Sequence, residues 1–461
     1  MSDVTIAAIA TAAGNSGIGI VRMSGRDSFE IADRVYRSVS GNFSIKDAAD
    51  HTIHYGYIYD GDELIDEVLI SVFFAPRSFT AENTVEISCH GGYYVTKKIL
   101  SVLLKNGAKI AAPGEFTKRA FLNGRLNLSQ AEAVIDIINA KNDFALRNSL
   151  SQLGGSIREK IAVLREDLLN ETAFIESALD DPEHFSLEDH HPEMKRVTDS
   201  VKKGIEDIIA KSSNAGFLKN GINTLILGKP NAGKSSLLNA LIGYDRAIVT
   251  DVAGTTRDTI EESVSLDGIV LNLIDTAGIR EGGDEVEKLG INRALSLIDK
   301  ADLVLYVMDI CDEIDEDDKK IAASVAGKKV VVIFNKSDIG DEARVKSLEA
   351  FAAGISDLSV VISAKTGEGI DELSGIIQKL FMLSGISFDE DIYITNERQL
   401  DCMNRALSSM KLVCDALNDG ISEDFITIDL MDAYSALGEI LGEQLSDDLA
   451  DRIFERFCMG K

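Results

Sequence analysis

Apolar residues fall into two rhythms along the chain. Over residues 1–120, short β-rich runs at 5–11, 17–23, 68–74 and 84–89 alternate with turns. Residues 95–105 repeat their apolar positions at helical spacing, so this part reads as an α+β domain. From 129 to about 178 the pattern is helical and almost free of proline, with Ala131, Val134, Ile135 and Ile138 marking one apolar stripe. Gly154-Gly155 interrupts it. The acidic, histidine-containing stretch 180–192 reads as a loop, followed by a helix over 194–213. Beyond 396 the helical rhythm returns, over 397–418 and 429–457. Between the helical blocks lie buried-strand runs at 222–227, 271–274, 330–334 and 360–362, in a βαβ order.

A domain inserted into a helical host is physically easy, because domain termini often lie close together. The expected architecture is therefore multidomain. An α+β N-terminal domain spans 1–120, and a discontinuous all-α helical domain spans 121–215 and 381–461. An inserted α/β P-loop domain spans 216–380. The chain shows no fixed-period repeat.

Composition narrows the setting. Hydrophobic residues make up 45% of 461, enough for several cores. No apolar run approaches the ~20 residues that span a bilayer. The opening MSDVTIAAIATAAGNSG has no basic n-region and reads as a strand and a Gly-rich turn rather than a signal peptide. Cys89, Cys311, Cys402, Cys414 and Cys458 are scattered, with no CxxC spacing. A disulfide framework is not expected, and a reducing cytoplasm is the expected location. The net charge, 47 − 76 = −29, argues against a generic nucleic-acid binder. An RNA substrate would need positive potential from a partner or a small local patch.

The chemistry concentrates after the run 222–227. Gly228-Lys229-Pro230-Asn231-Ala232-Gly233-Lys234-Ser235 is G-x-x-x-x-G-K-S between a strand and a helix that continues through Ser236. The glycines let backbone N–H groups close on phosphates, Lys234 reaches the β- and γ-phosphates, and the Ser235 hydroxyl suits Mg²⁺. Three segments follow at strand ends, where a doubly wound sheet places its ligands. They are Asp275-Thr276-Ala277-Gly278, Asn335-Lys336-Ser337-Asp338 and Ser363-Ala364-Lys365. Asp275 is placed to hold Mg²⁺ through water, and the Gly278 N–H to meet the γ-phosphate. The Asp338 carboxylate selects the base: guanine offers two donors to it, adenine an acceptor and nothing, which leaves the carboxylate unpaired. The ligand is therefore GTP.

Hydrolysis has no glutamine to orient water, because Ile279 follows the D-x-x-G motif. Glu281, Asp284, Glu285 and Glu287 are the nearby acidic candidates; each also suits a solvated loop.

At Gly254-Thr255-Thr256-Arg257-Asp258 the nucleotide domain resembles the Era-like GTPases. The run Pro113-Gly114-Glu115-Phe116-Thr117-Lys118-Arg119-Ala120-Phe121-Leu122-Asn123-Gly124-Arg125 is similar to a motif of the MnmE (TrmE) family of tRNA-modification GTPases. So are Leu128-Ser129-Gln130-Ala131-Glu132-Ala133 and Phe457-Cys458-Met459-Gly460-Lys461, and the likeness covers essentially the whole chain.

The resemblance implies a homodimer that works with the FAD-carrying partner MnmG, in a heterotetramer or larger complex. Together they add a carboxymethylaminomethyl or aminomethyl group to carbon 5 of the tRNA wobble uridine. The one-carbon unit comes from a 5-formyl or 5,10-methylene tetrahydrofolate. The resemblance further implies that Thr250, Asp251, Val252, Ala253, Gly254, Thr255 and Thr256 close on the nucleotide, with Thr256 on Mg²⁺ beside Ser235. Asn231, Thr250, Val252 and Thr255 match a K⁺ site that does the work of an arginine finger. Glu287 matches the water-orienting glutamate. Arg22, Glu86, Arg125 and Lys461 match folate-binding positions, and Cys458 touches the one-carbon group or packs beside it. The sequence departs from the family at Thr11-Ala12-Ala13-Gly14, Ala112, Arg125 and Asn127. An Era- or Der-type ribosome-assembly switch is the competing reading; it requires an RNA-binding domain with a GXXG clamp after the nucleotide domain.

Overall fold

The structure, a computed structural model, describes all residues except 1–3, 40, 42, 182, 213, 245–261, 275–296, 340–341, 382–392, 421–422, 444–446, 456, 458–459 and 461. The chain forms two compact units. One comprises Met1–Asn139, Ser149–Ile205 and Asp401–Lys461, the other Ala140–Asn148 and Glu206–Leu400.

The first unit opens with a seven-stranded sheet. Its strands are β1 (Ile6–Ile9), β2 (Ile18–Ser24), β3 (Tyr36–Ser38), β4 (Thr52–Asp60), β5 (Glu63–Phe73), β6 (Thr84–His90) and β7 (Lys109–Ile110). They lie in the order β3-β4-β5-β6-β2-β1-β7, antiparallel except for the β1–β7 pair. Helices α1 (Ser28–Val35) and α2 (Tyr93–Lys105) cover one face and share its core with Val21, Met23, Ile70 and Ile87. Strand alternation explains the burial: Val68, Ile70 and Val72 on β5 point into the core, while Leu69 between them is exposed. The periodicity reading found β1, β2, β6, α2 and the second half of β5 but not β3, β4 or β7. On β4 polar His54 and Asp60 and exposed Tyr55 dilute the alternation.

Four helices follow: α3 (Glu115–Leu122), α4 (Leu128–Ile138), α5 (Asp143–Gly154) and α6 (Ser156–Asp180). The α4 start is specified locally, because Asn127 and Gln130 form a reciprocal capping box. The expected interruption at Gly154-Gly155 is present: Gly155 adopts φ +102° between α5 and α6. Helix α7 (Leu187–Ser212) begins inside the stretch read as a loop, with Pro192 within it. Ser186 Oγ accepts from the Asp189 amide, His190 stacks on Phe174 of α6, and His190 Nε2 lies 2.9 Å from Glu171. Those contacts outweigh the local signal of proline and charge.

The second unit holds α8 (Ala215–Asn220) and a six-stranded sheet. Its strands are β8 (Ile222–Gly228), β9 (Glu262–Leu266), β10 (Ile269–Leu273), β11 (Leu303–Asp309), β12 (Val330–Asn335) and β13 (Ser359–Val361). The order is β13-β12-β11-β8-β10-β9, all parallel except β9. Helices α9 (Lys234–Tyr244), α10 (Glu316–Ser324) and α11 (Glu342–Ala352) lie between strands, and α12 (Ile370–Leu380) follows β13. Two separate apolar clusters line the sheet. Leu305, Val307 and Ile333 belong to one, and Val304, Tyr306, Val332 and Phe334 to the other. A sheet buried on both faces reads as apolar runs, which is why β8, β10 and β12 are found in the sequence, whereas β11, though fully buried, and the edge strand β9 are not among the runs read there.

The chain returns to the first unit through α13 (Glu397–Asp419), α14 (Glu423–Leu441) and α15 (Asp447–Phe454). The helix expected over 429–457 is two helices. Gly442, at φ +91°, ends the first in a left-handed turn, and a Cβ there would lie 2.8 Å from Leu128 Cβ. Arg165 on α6 ties down this corner, bonding both Glu443 carboxylate oxygens at 2.6 Å.

Candidate functional site

The phosphate-loop sequence forms the turn between β8 and α9. Gly228 has φ +155°, and a Cβ there would lie 2.3 Å from the Val307 carbonyl oxygen. Asn231 sits at φ 59°, a left-handed position that asparagine tolerates better than most residues. At Gly233 (φ +98°) a Cβ would fall 2.0 Å from Asn335 Nδ2. No side chain fits there, which is the physical reason for the second glycine of the motif. Lys234 folds back over the loop and donates to the Gly228 and Lys229 carbonyls at 2.9 and 2.7 Å. Ser235 and Ser236 lie in the first turn of α9.

Three loops meet at the carboxyl ends of the parallel strands, and Asn335 joins them. It is 1% exposed. Its Nδ2 donates to the Ala232 carbonyl at 2.9 Å, and its Oδ1 accepts from the Ala364 amide at 3.0 Å. Lys336 has φ 70°, and its ammonium donates to Asp309 Oδ2 at 2.5 Å. Asp338 Oδ1 accepts from the Ser363 hydroxyl at 2.9 Å, and Lys365 Nζ stands 4.0 Å from Oδ2. Ser337 N donates to the Ile362 carbonyl at 3.1 Å, so the base loop is held along its length. Asn231 to Ser236, Asn335 to Asp338 and Ser363 to Lys365 are thus placed on adjoining loops. Thr250, Asp251, Val252, Ala253, Gly254, Thr255, Thr256, Asp275, Thr276, Ala277, Gly278 and Glu287 lie outside the described residues.

An acidic set beside these loops was not singled out in the sequence. Lys229 Nζ contacts Asp318 Oδ2 at 2.9 Å, Asp315 Oδ2 at 3.2 Å and the Glu313 carbonyl at 2.9 Å. Burial opposes the charge on Lys229, but the two carboxylates outweigh it and raise its pKa. Tyr306 donates to Asp318 Oδ1 at 2.6 Å; burial, then this carboxylate, raise the phenol's pKa.

In the first unit, Arg22 on β2 stands opposite Glu86 on β6. Their side chains pair at 2.7 Å. The Arg22 guanidinium lies 5.6 Å from the Phe79 ring centroid and that of Arg125 5.1 Å from it. Arg125 also donates to the Phe79 carbonyl at 3.1 Å. Two of the four expected folate positions, Arg22 and Arg125, therefore flank Phe79, a residue no sequence signal revealed, and Glu86 joins them through Arg22. Cys458 and Lys461 lie outside the described residues, but Gly460 is described and buried. Its carbonyl faces Arg22 Nη1 at 3.4 Å, and a Cβ on it would lie 2.3 Å from the Ile9 carbonyl oxygen. The Cys89 thiol, also in this unit, is pushed up to about 11 by burial, then by the Asp66 carboxylate, and is not a ready nucleophile.

Family comparison covers both units. Residues 5–125 match the model of the GTP-binding protein TrmE N-terminus, and residues 128–458 that of the MnmE helical domain. The chain is 48% identical, over 100% of both sequences, to the tRNA modification GTPase MnmE of Lachnoclostridium phytofermentans. It is 43% identical, over 99% of both sequences, to the proteins of the same name from Acetivibrio thermocellus and Geobacillus thermodenitrificans.

Proposed function

The chain belongs to the MnmE family of tRNA modification GTPases, and from that premise we propose that it hydrolyses GTP in the service of tRNA wobble-uridine modification. The observation that carries the nucleotide half is the Asn335 side chain, which ties the phosphate loop at Ala232 to the third loop at Ala364. That linkage fixes the distance between phosphate and base recognition. Asp338, oriented by Ser363, accepts the two guanine donors.

Lys234 moves from the loop carbonyls it now contacts to the phosphates. Ser235 and Thr256 hold Mg²⁺, and Asn231, Thr250, Val252 and Thr255 hold K⁺. The two cations supply positive charge against the developing negative charge on the phosphoryl group. The described residues suit such groups, since Ser235 lies in the first turn of the helix that follows the loop and Asn231 sits at a left-handed position within it. Glu287 orients the attacking water.

The first unit supports the modification half. Arg22, Glu86, Arg125 and Lys461 hold the 5-formyl or 5,10-methylene tetrahydrofolate that supplies the one-carbon unit, with Cys458 near it. Here the fit rests on two guanidinium groups around one aromatic ring, a set suited to an anionic, ring-bearing ligand. The product is a carboxymethylaminomethyl or aminomethyl group on carbon 5, made with MnmG, which brings the FAD. The homodimer forms through the open face of the β-sheet, where Ile18, Ile53, Tyr55 and Leu69 are exposed. By strand alternation Arg22 and Glu86 share that face.

Among the described residues no helix is long and apolar enough to cross a membrane, and a cytoplasmic setting follows the tRNA substrate. The ribosome-assembly reading needs an RNA clamp after the nucleotide domain; among the described residues, the part of the chain between Glu397 and Phe454 forms α13, α14 and α15.

The test pairs two measurements: GTP turnover by the purified protein, and mass spectrometry of wobble uridine in tRNA from cells lacking it. Unmodified uridine in those cells supports the proposal. A full complement of modified uridine overturns it.

A further inference from the structure

Asp309 ends β11 directly opposite Asn335 at the end of β12. Its side chain is 6% exposed, and both oxygens are engaged: Oδ1 accepts from the Cys311 amide at 2.9 Å and Oδ2 from Lys336 Nζ at 2.5 Å. We propose that Asp309 is a positioning residue for purine recognition. It anchors the Lys336 ammonium so that the lysine's four-carbon stem is laid across the strand ends as a ready platform for the base ring.

Two features make this more than a structural brace. Lys336 lies between Asn335, which is bonded to the phosphate loop, and Asp338, which is bonded to Ser363. Its Cα is therefore fixed at φ 70° inside the base loop, and only the long side chain is left to choose a direction. An unanchored lysine samples many rotamers and loses that freedom when a base stacks on its stem. Fixing the ammonium beforehand removes that cost from binding. The carboxylate is itself held still. Arg344 donates to the Cys311 carbonyl at 2.7 Å, the Ile310 amide donates to the Asn335 carbonyl at 3.1 Å, and Lys229 pins the segment further on at Glu313, Asp315 and Asp318. The anchor is thus a fixed point between the phosphate loop and the base loop.

The inference rests on the reading of Asn335-Lys336-Ser337-Asp338 as the guanine site, so its test separates the base from the phosphates. The probes are GDP and inorganic tripolyphosphate, each with Mg²⁺, titrated calorimetrically into the full chain. In Asp309→Asn the Kd for GDP is expected to rise about tenfold while that for tripolyphosphate stays within about twofold. Lys336→Met is expected to lose a similar factor, and the double variant to be no more than about twofold weaker than Lys336→Met alone. Equal losses for both ligands, an unchanged GDP affinity, or additive losses in the double variant overturn the proposal. If Asp309→Asn does not fold, Lys336→Met breaks the same pair from its more exposed end, and unchanged GDP affinity there overturns it equally. A xanthosine preference in Asp338→Asn that survives such a failure leaves the guanine site standing and removes only the role of Asp309.

Discussion

Asn335 and Ala232 are separated by 103 positions in the chain and joined by one hydrogen bond of 2.9 Å, from the buried amide Nδ2 to the loop carbonyl. The same amide group closes on Ala364, so one side chain sets the relative placement of phosphate and base loops. Truncation by Asn335→Ala leaves a carbonyl and an N–H unpaired, a cost of about 1–3 kcal/mol each where they are buried. GDP affinity is expected to fall by roughly tenfold or more. Gly233→Ala attacks the same contact from the other side, since the added Cβ would lie 2.0 Å from Asn335 Nδ2. Isothermal titration with GDP checks both variants. Wild-type affinity in either one removes Asn335 as the organising residue.

Base choice is expected to follow Asp338. Asp338→Asn exchanges an acceptor for a mixed amide, which suits the 2-oxo group of xanthine and no longer accepts both guanine donors. The Ser363 hydroxyl, 2.9 Å away, can serve an amide oxygen as well as a carboxylate, so the loop keeps its shape. Turnover of GTP and xanthosine triphosphate is compared in the two proteins. A variant that still prefers GTP, or a wild type that hydrolyses ATP as fast as GTP, rules out this basis for recognition.

The strands that carry the nucleotide loops were legible because β12 is buried throughout and β8 is buried over residues 224–227, so both read as apolar runs. Loop chemistry was legible because glycine and asparagine stand where φ is positive, at Gly233 and Asn231. The onset of α7 was not, since it depends on His190 meeting Phe174 and Glu171 rather than on its own residues. Phe79 and Asp309 were missed for the same reason. Each is an ordinary residue in a loop or at a strand end until the fold brings Arg22 and Arg125, or Lys336, against it.

Hydrolysis is expected to depend on potassium. Asn231 projects from a left-handed turn in the phosphate loop, and Ile279 offers no hydrogen bond to water. Potassium or rubidium should accelerate turnover and sodium much less, and Asn231→Ala should lose the response while still binding GDP. Identical rates in potassium and sodium salts contradict the assignment.

Glu287→Ala is expected to bind GTP normally and to hydrolyse it slowly, by about 10²–10⁴ in rate, the usual worth of a positioned acid or base. Single-turnover kinetics with stopped-flow binding separates the two steps. A rate within about twofold of wild type transfers the role to Glu281, Asp284 or Glu285.

The two activities are expected to separate at Gly460. Its φ of +88° and the 2.3 Å approach of a built Cβ to the Ile9 carbonyl mean that only glycine lets this backbone lie against β1. Arg22 reaches the Gly460 carbonyl from the same sheet and pairs with Glu86, so this glycine meets two of the residues proposed to hold the folate. Gly460→Ala must therefore shift the backbone at this position, and Cys458→Ser tests the thiol with the glycine left in place. Both variants are expected to lose wobble-uridine modification while GTP turnover stays within about threefold, roughly 0.6 kcal/mol in barrier. The readouts are GTPase rates on the purified variants and nucleoside analysis of tRNA from cells carrying them. Full modification in Gly460→Ala shows that the close approach has no part in the reaction. Loss of both activities shows that the segment supports the fold rather than the chemistry. Modification retained in Cys458→Ser but lost in Gly460→Ala leaves the sulfur a packing role and the backbone the functional one.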